Sequence, residues 1–286
     1  MEKIYKKARA KLNLTLNIVD KRPDGYHNIE SVFQKIGLYD ELYVEKTNSG
    51  SIEIICNVKE LEGSNNIIWR AYNALKLLTP DKISGIKVTL IKHIPAESGL
   101  GGGSTDCAAF LHSMNALFDL GYSREDLVNI GKTIGADVPA CLHPNCMLGE
   151  GIGEIITPIN SSMKYYLVLA KPAASFSTKM MYDVIDNHPG FTQRFTSKDM
   201  IKALESSNLK LLCKSFYNAF EEVVKENKEI QRIRNVLSEN NALGTMMTGS
   251  GSCVFGVFAN KEESKKAYNI LKESHEVYWS IAWNRN

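Results

Sequence analysis

Leu12, Leu14, Leu16 and Ile18 alternate with Asn13, Thr15 and Asn17 near the start of the chain. A period of two marks a half-buried strand, and the turn-rich residues 20–25 close it with a polar loop. Residues 42–46 and 51–56 read as two more strands around the turn Asn48-Ser49-Gly50, and residues 66–78 carry the apolar spacing of a helix. Residues 86–91 form a strand that feeds a glycine-rich stretch, after which apolar positions 109, 110, 114 and 117 predict a helix over 106–117. Ser123, with Asp126 three residues later, marks the cap of a further helix reaching Ile134. Residues 165–170 read as a buried strand, 200–212 and 218–237 as two helices, and 254–258, 262–274 and 277–283 as a closing strand, helix and strand. Short strands and glycines give way to a helical second half near 151–162, which divides the chain into 1–157 and 158–286.

Composition narrows the function classes. A chain of 286 residues with 44% hydrophobic residues builds a real core, as one large domain or two joined ones. Its 34 Lys plus Arg against 32 Asp plus Glu leave a net charge of +2, too small a field to favour nucleic acid or an anionic membrane. Any anion is therefore held by a local site. The six cysteines have no C-x-x-C spacing, and the basic residues of 1–11 are followed by a short apolar stretch interrupted by polar ones. Free thiols in a reducing cytoplasm, without a membrane anchor, are the expectation.

The most informative segment is Pro95-Ala-Glu-Ser-Gly-Leu-Gly-Gly-Gly-Ser-Thr-Asp106, between a predicted strand and a predicted helix. Its glycines let the backbone approach a ligand and turn successive amides toward phosphate oxygens, and the following helix adds its positive end. No Lys follows as in a P-loop, and the spacing is not G-x-G-x-x-G, which also disfavours a nicotinamide oxidoreductase. A second glycine turn, Thr248-Gly-Ser-Gly-Ser252, precedes a strand and offers further amides to the nucleotide or the substrate. Phosphoryl transfer to a hydroxyl also needs a group to position or deprotonate the acceptor and a cation to offset developing charge. Asp137, in Gly135-Ala-Asp-Val-Pro139, and Lys11, flanked by Ala10 and Leu12, are candidates. An isolated Asp more often caps a turn and an isolated Lys reaches to water, so spacing alone leaves both roles open.

Ala10-Lys-Leu-Asn-Leu14, Arg22-Pro-Asp-Gly-Tyr-His27, Ile94-Pro95, Gly99-Leu-Gly-Gly-Gly-Ser104, Gly135-Ala-Asp-Val-Pro139, Gly151-Ile-Gly-Glu154 and Thr248-Gly-Ser-Gly251 together resemble the ordered motifs of the GHMP kinase superfamily. The resemblance covers nearly the whole chain. Residues 22–27 are similar to those of the members that phosphorylate a cytidine-diphosphate-linked methylerythritol at its 2-hydroxyl, in the non-mevalonate route to isoprenoids.

The resemblance implies an α/β (α+β) molecule of two lobes: an N-terminal lobe like the second domain of ribosomal protein S5, and a C-terminal GHMP kinase α/β lobe, with the active site between them. It implies ATP and Mg²⁺, a small-molecule acceptor, and a monomer or weak homodimer. By matching position Lys11 and Asp137 form the catalytic pair. Asn65, Asn66 and the loop Pro95, Ala96, Glu97, Ser98, Gly99, Leu100, Gly101, Gly102, Gly103, Ser104 and Thr105 bind ATP, with Ser104 or Thr105 toward the phosphates and Ser104 also toward Mg²⁺. Tyr26 and His27 read the cytosine, Phe33 and Tyr182 sandwich it, and Asn13 and Thr178 contact the erythritol or diphosphate.

Two departures stand out: Pro144-Asn-Cys146 where the superfamily has a glycine-rich turn, and Glu97-Ser98 where small residues are usual. A carboxylate at Glu97 repels phosphates unless it points away or helps hold a metal. The alternatives are another GHMP kinase, with homoserine, a mevalonate phosphate or a sugar as acceptor, and a non-catalytic nucleic-acid-binding protein on an S5-like fold.

Overall fold

The computed structural model describes residues 2–187 and 196–284. In chain order the elements are β1 (Lys3–Lys21), β2 (His27–Thr47), β3 (Ile52–Cys56), α1 (Ile67–Leu78), β4 (Gly85–Ile91), α2 (Gly102–Leu117), α3 (Arg124–Ile134) and α4 (Val138–Cys141). There follow β5 (Cys146–Gly151), β6 (Ile155–Ile159), β7 (Tyr166–Lys171), α5 (Thr178–Asp186), α6 (Ser197–Glu205), α7 (Leu209–Lys214) and β8 (Tyr217–Asn218). The chain closes with α8 (Glu221–Val224), α9 (Lys228–Glu239), β9 (Gly244–Met247), β10 (Val254–Phe258), α10 (Lys261–Leu271) and β11 (Glu276–Ile281).

Contacts divide the chain into two compact units that interleave along the sequence. The first comprises Met1–Ala10, Tyr39–Ile94 and Gly101–His143; the second comprises Lys11–Leu38, Pro95–Leu100 and Pro144–Asn286. In the first unit β4 pairs antiparallel with residues 41–47 of β2 and parallel with β3. Leu42, Val44, Val88 and Leu90 meet Ile68 and Leu75 of α1, Phe110 and Met114 of α2 and Leu127 of α3 in one core. Asn66 caps α1, its Oδ1 accepting from the Ile68 amide at 2.9 Å while its Nδ2 donates to the Leu61 carbonyl at 2.8 Å. Ser123 and Asp126 form the expected capping box on α3, each side chain bonded to the other's backbone amide.

In the second unit an antiparallel sheet runs in the order β11-β7-β10-β9. Residues 29–34 of β2 pair with β5, β5 pairs with β6, and Thr15 and Leu16 of β1 lie parallel to β8. Leu16, Ile18, Val168, Phe220, Ile233, Val254 and Phe258 belong to its core.

Two expected helices are corrected. Residues 200–212 are not one helix: α6 ends before Ser207, whose φ of 52° is left-handed, and Asn208 starts α7 by accepting from the Leu211 amide at 2.9 Å. Residues 218–237 begin with a strand and a one-turn helix. Asn218 sits in β8, donating from Nδ2 to the carbonyls of Met247 at 2.7 Å and Gly249 at 2.9 Å, and only Asn227 opens the long helix α9. In both cases apolar spacing continued across a residue whose polar side chain restarts the backbone.

Candidate active site

Lys11, Asn13 and Phe33 meet at the buried middle of β1. Lys11 is 4% exposed; its ammonium donates to Asn13 Oδ1 at 2.8 Å and lies 5.4 Å over the Phe33 ring. Asn13 passes the contact on, Nδ2 donating to Ser31 Oγ at 2.8 Å, and Ser31 donates to the Thr15 carbonyl at 2.6 Å. Both Asn13 side-chain groups are thus engaged, which fixes the Lys11 ammonium in place. Phe33 is 1% exposed and packs as part of this floor, whereas Tyr26 is 57% exposed and presents its ring to solvent.

Two glycine segments meet in the same unit. The Asn13 amide donates to Thr248 Oγ1 at 3.0 Å, the Lys11 amide to the Leu100 carbonyl at 3.1 Å, and the Cys253 amide to the Ser98 carbonyl at 3.3 Å. Gly99 has φ +74°, and a Cβ there would stand 2.0 Å from the Thr248 carbonyl oxygen. Gly249 faces it with φ +58°, and its Cβ would lie 3.0 Å from the Gly99 carbonyl oxygen. Backbone against backbone at this distance admits no side chain, which explains glycine at both positions. Glu97 has a left-handed φ of 50° and an exposed side chain, while Ser98 is buried and donates to the Pro95 carbonyl at 2.7 Å. A residue without a Cβ suits the Glu97 backbone better, which accounts physically for small residues at such a position.

On the segment expected to read cytosine, His27 is 7% exposed and its Nε2 lies 2.7 Å from Asp186 Oδ1. The Tyr182 ring stacks on the imidazole with centroids 4.5 Å apart and planes 11° apart, and Phe220 meets Tyr182 edge-on at 5.0 Å. Thr178 begins α5, with its hydroxyl 2.8 Å from that of Ser250 in the second glycine turn.

The first unit holds the remainder. Gly101 (φ 70°) precedes α2, and the Thr105 amide donates to its carbonyl at 2.9 Å. The Thr105 hydroxyl is buried and donates to the Arg9 carbonyl at 2.6 Å, whereas Ser104 is partly exposed. Of the two candidate hydroxyls, Ser104 is thus the better placed to meet a ligand. Asn65 is exposed; Asn66 is buried with both amide groups committed to the backbone. Asp137 stands partly exposed at the mouth of α4, its carbonyl accepting from the Cys141 amide at 3.1 Å, with Pro139 fixing the turn that follows.

Sequence reading missed the group that anchors α2. Lys92 donates to Asp106 Oδ2 at 2.6 Å and to Asp40 Oδ2, and Asp40 Oδ1 accepts from the Ile94 amide at 2.8 Å and from the His93 amide. Burial pushes the Asp106 carboxyl well above the usual range, the pull of Lys92 notwithstanding, and the charge of Asp40 pushes the same way. Burial by itself pulls Lys92 down, but Asp106 and Asp40 together hold it above its ordinary value. Lys92 lies three positions before Pro95, and nothing in that spacing points to Asp40 or Asp106.

The chain was compared with known proteins. A family model described as the GHMP kinases N terminal domain matches residues 66–145, and one described as GHMP kinases C terminal matches residues 200–277. The 4-diphosphocytidyl-2-C-methyl-D-erythritol kinase of Caldicellulosiruptor saccharolyticus is 40% identical over 268 residues, covering 93% of this chain and 92% of that protein. The chain belongs to the 4-diphosphocytidyl-2-C-methyl-D-erythritol kinase family. The Clostridium tetani member is 39% identical over 283 residues, 96% of this chain and 98% of its own length. A crystal structure of a 4-(cytidine 5'-diphospho)-2C-methyl-D-erythritol kinase superposes with a TM-score of 0.84 at 26% identity, covering 98% of this chain and 100% of that one. A homoserine kinase from Cytophaga hutchinsonii reaches 0.76 at 16% identity, covering 99% and 95%, a likeness of fold alone. The family is one of kinases on the GHMP fold, and the expected α/β class and superfamily hold. Among the described residues no helix is long and apolar enough to cross a membrane.

Proposed function

We propose that this chain transfers the terminal phosphoryl group of ATP to the 2-hydroxyl of 4-(cytidine 5'-diphospho)-2-C-methyl-D-erythritol, a step toward isoprenoid precursors by the non-mevalonate route. The observation that carries this is the 40% identity to a kinase of that name across 93% of the chain. Asp137 takes the proton of the acceptor hydroxyl as its oxygen attacks the γ-phosphorus; the bond to the leaving oxygen of ADP breaks, giving a phosphomonoester and ADP. Lys11, held by Asn13, orients that hydroxyl and offsets the charge on the transferred group.

The loop 95–105 receives the phosphates through its backbone amides and the start of α2. Asn65 contributes from the nucleotide side. Asn66 supports it by capping α1. Tyr26 and His27 meet the cytosine; Phe33, 1% exposed beneath Lys11, and Tyr182, stacked on His27, support that segment rather than sandwich the base as the resemblance implies, and Asn13 and Thr178 serve the erythritol and diphosphate.

Magnesium fits as an ion brought in by the nucleotide. Among the described residues no three His, Cys, Asp or Glu side chains gather into a cage, and Asp106 is committed to Lys92, so phosphate oxygens with the Ser104 hydroxyl would hold it. When bound, it neutralises phosphate charge. The matched family segments at 66–145 and 200–277 fall on either side of residue 157, which supports a division into 1–157 and 158–286. The six free cysteines support a reducing cytoplasm.

The product tests the reading. The 2-carbon of the acceptor bears a methyl group and no hydrogen, so phosphorus NMR should show a new phosphomonoester without coupling to a carbinol proton. A signal split by such a proton places the phosphate on another hydroxyl and overturns the assignment.

A further inference from the structure

The contact between α5 and the cytosine-reading segment carries an inference that rests on the substrate reading above and deepens it. Asp186, the last residue of α5, divides its carboxylate between two donors. Oδ1 lies 2.7 Å from His27 Nε2 and Oδ2 lies 2.5 Å from Lys21 Nζ. Hydrogen bonding from Lys21, against the opposing effect of burial and with a contribution from His27, holds the Asp186 carboxyl below its ordinary range. An ionised carboxylate only accepts, so the ring nitrogen facing it carries the hydrogen: His27 is the Nε2–H tautomer. In the neutral imidazole a hydrogen on Nε2 leaves none on Nδ1. Nδ1 is then an acceptor. Stacking on Tyr182, which Phe220 in turn meets edge-on, fixes the ring plane and hence the direction in which Nδ1 points.

An acceptor held in a fixed plane distinguishes two pyrimidines. Cytosine presents an amino donor at its 4-position where uracil presents a carbonyl acceptor. The geometry points to Asp186 as a specificity-determining positioning residue: by fixing the tautomer of His27 it makes the site accept a cytidine diphosphate and reject its uridine counterpart. Nothing in the sequence pairs these residues, which lie 159 positions apart.

Substitution at Asp186 gives opposed expectations. In Asp186→Asn the amide oxygen turns to Lys21 and the amide nitrogen faces Nε2, which becomes an acceptor and moves the ring hydrogen to Nδ1. The preference for cytidine over uridine in kcat/KM should then fall by about a hundredfold, and in Asp186→Ala, where the tautomer is only released, by about tenfold. A purely structural role would lower both substrates alike.

The experiment has two arms. Nitrogen NMR of histidine-labelled wild-type protein without substrate reads the tautomer; the expected result is a pyrrole-type Nε2 and a pyridine-type Nδ1 for His27. Kinetics of wild type and both variants, with the cytidyl and uridyl forms of the acceptor, read specificity. A protonated Nδ1 in the wild-type protein overturns the role of Asp186, as does an unchanged preference in both variants. Wild-type turnover of neither acceptor, with the expected tautomer present, overturns the substrate reading on which the inference stands.

Discussion

Lys11 is held by a chain of neutral groups. Asn13 accepts from its ammonium and is itself tied to Ser31, which orients the buried cation. Asp137 has a different setting, at the start of a one-turn helix locked by a proline. Exchange of its carboxylate for an amide keeps the shape and removes the base. Asp137→Asn is therefore expected to lower turnover by about a thousandfold while the dissociation constant for ATP stays within about threefold. Steady-state kinetics and calorimetric titration with ATP check this; undiminished turnover removes Asp137 from the chemistry.

The Lys92 group allows a test of electrostatics. Lys92→Met leaves Asp40 and Asp106 buried without their cation and should cost about 3–5 kcal/mol in denaturant unfolding. A carboxyl whose folded pKa is raised, as burial raises that of Asp106, contributes its stability in full below the ordinary value of 3.8 and loses it as pH rises through the folded value. Asp106→Asn removes that titration. The stability of the wild-type protein relative to this variant should fall as pH rises above the ordinary carboxyl value of 3.8, and a difference that stays flat contradicts the account. Such groups were beyond the reach of sequence reading. Lys92 and Asp40 are 52 positions apart, and a buried ion pair leaves no periodicity to detect.

The two glycine segments were legible one at a time, because glycines between a strand and a helix announce close backbone approach whatever they approach. Their meeting was not. Gly99 accommodates the Thr248 carbonyl across a long sequence separation, and only the fold supplies that contact. Gly99→Ala combines a left-handed backbone with a 2.0 Å clash and should destabilise by about 2 kcal/mol or more. Thermal melts with and without ATP check both the fold and the loop; a variant as stable as wild type contradicts this packing. The helices read correctly were those whose apolar spacing ended at a strong cap, as α1 and α3 do with Asn66 and Ser123. The two read wrongly contained interior residues, Ser207 and Asn227, whose local conformation or side-chain bonding interrupts an otherwise helical pattern. Helix α5 escaped notice altogether: of its nine residues only Met181 and Ile185 are buried, too few to set a period.

At the scale of the molecule, each unit has its own apolar core and its own share of the site residues. The fold is shared with proteins whose names specify other acceptors, including the homoserine kinase above and the mevalonate kinase of Methanococcus jannaschii, which superposes with a TM-score of 0.74 at 14% identity. Fold therefore does not choose the acceptor. We propose that the choice rests on side chains such as Tyr26, His27 and Tyr182, a reading that family membership across the whole length of the chain supports. Tyr26 and His27 were legible because they lie in a short motif, whereas Tyr182 was named only through the family resemblance. Asp186 and Lys21, which complete their setting, became visible only in three dimensions.

The most direct measurement is coupled release of ADP from ATP with a panel of acceptors: the cytidyl methylerythritol, homoserine, mevalonate phosphates and simple sugars. The account predicts saturable turnover of the cytidyl compound, with kcat/KM at least about a thousandfold above that of any other acceptor. Efficient turnover of another acceptor with none of this one would contradict it.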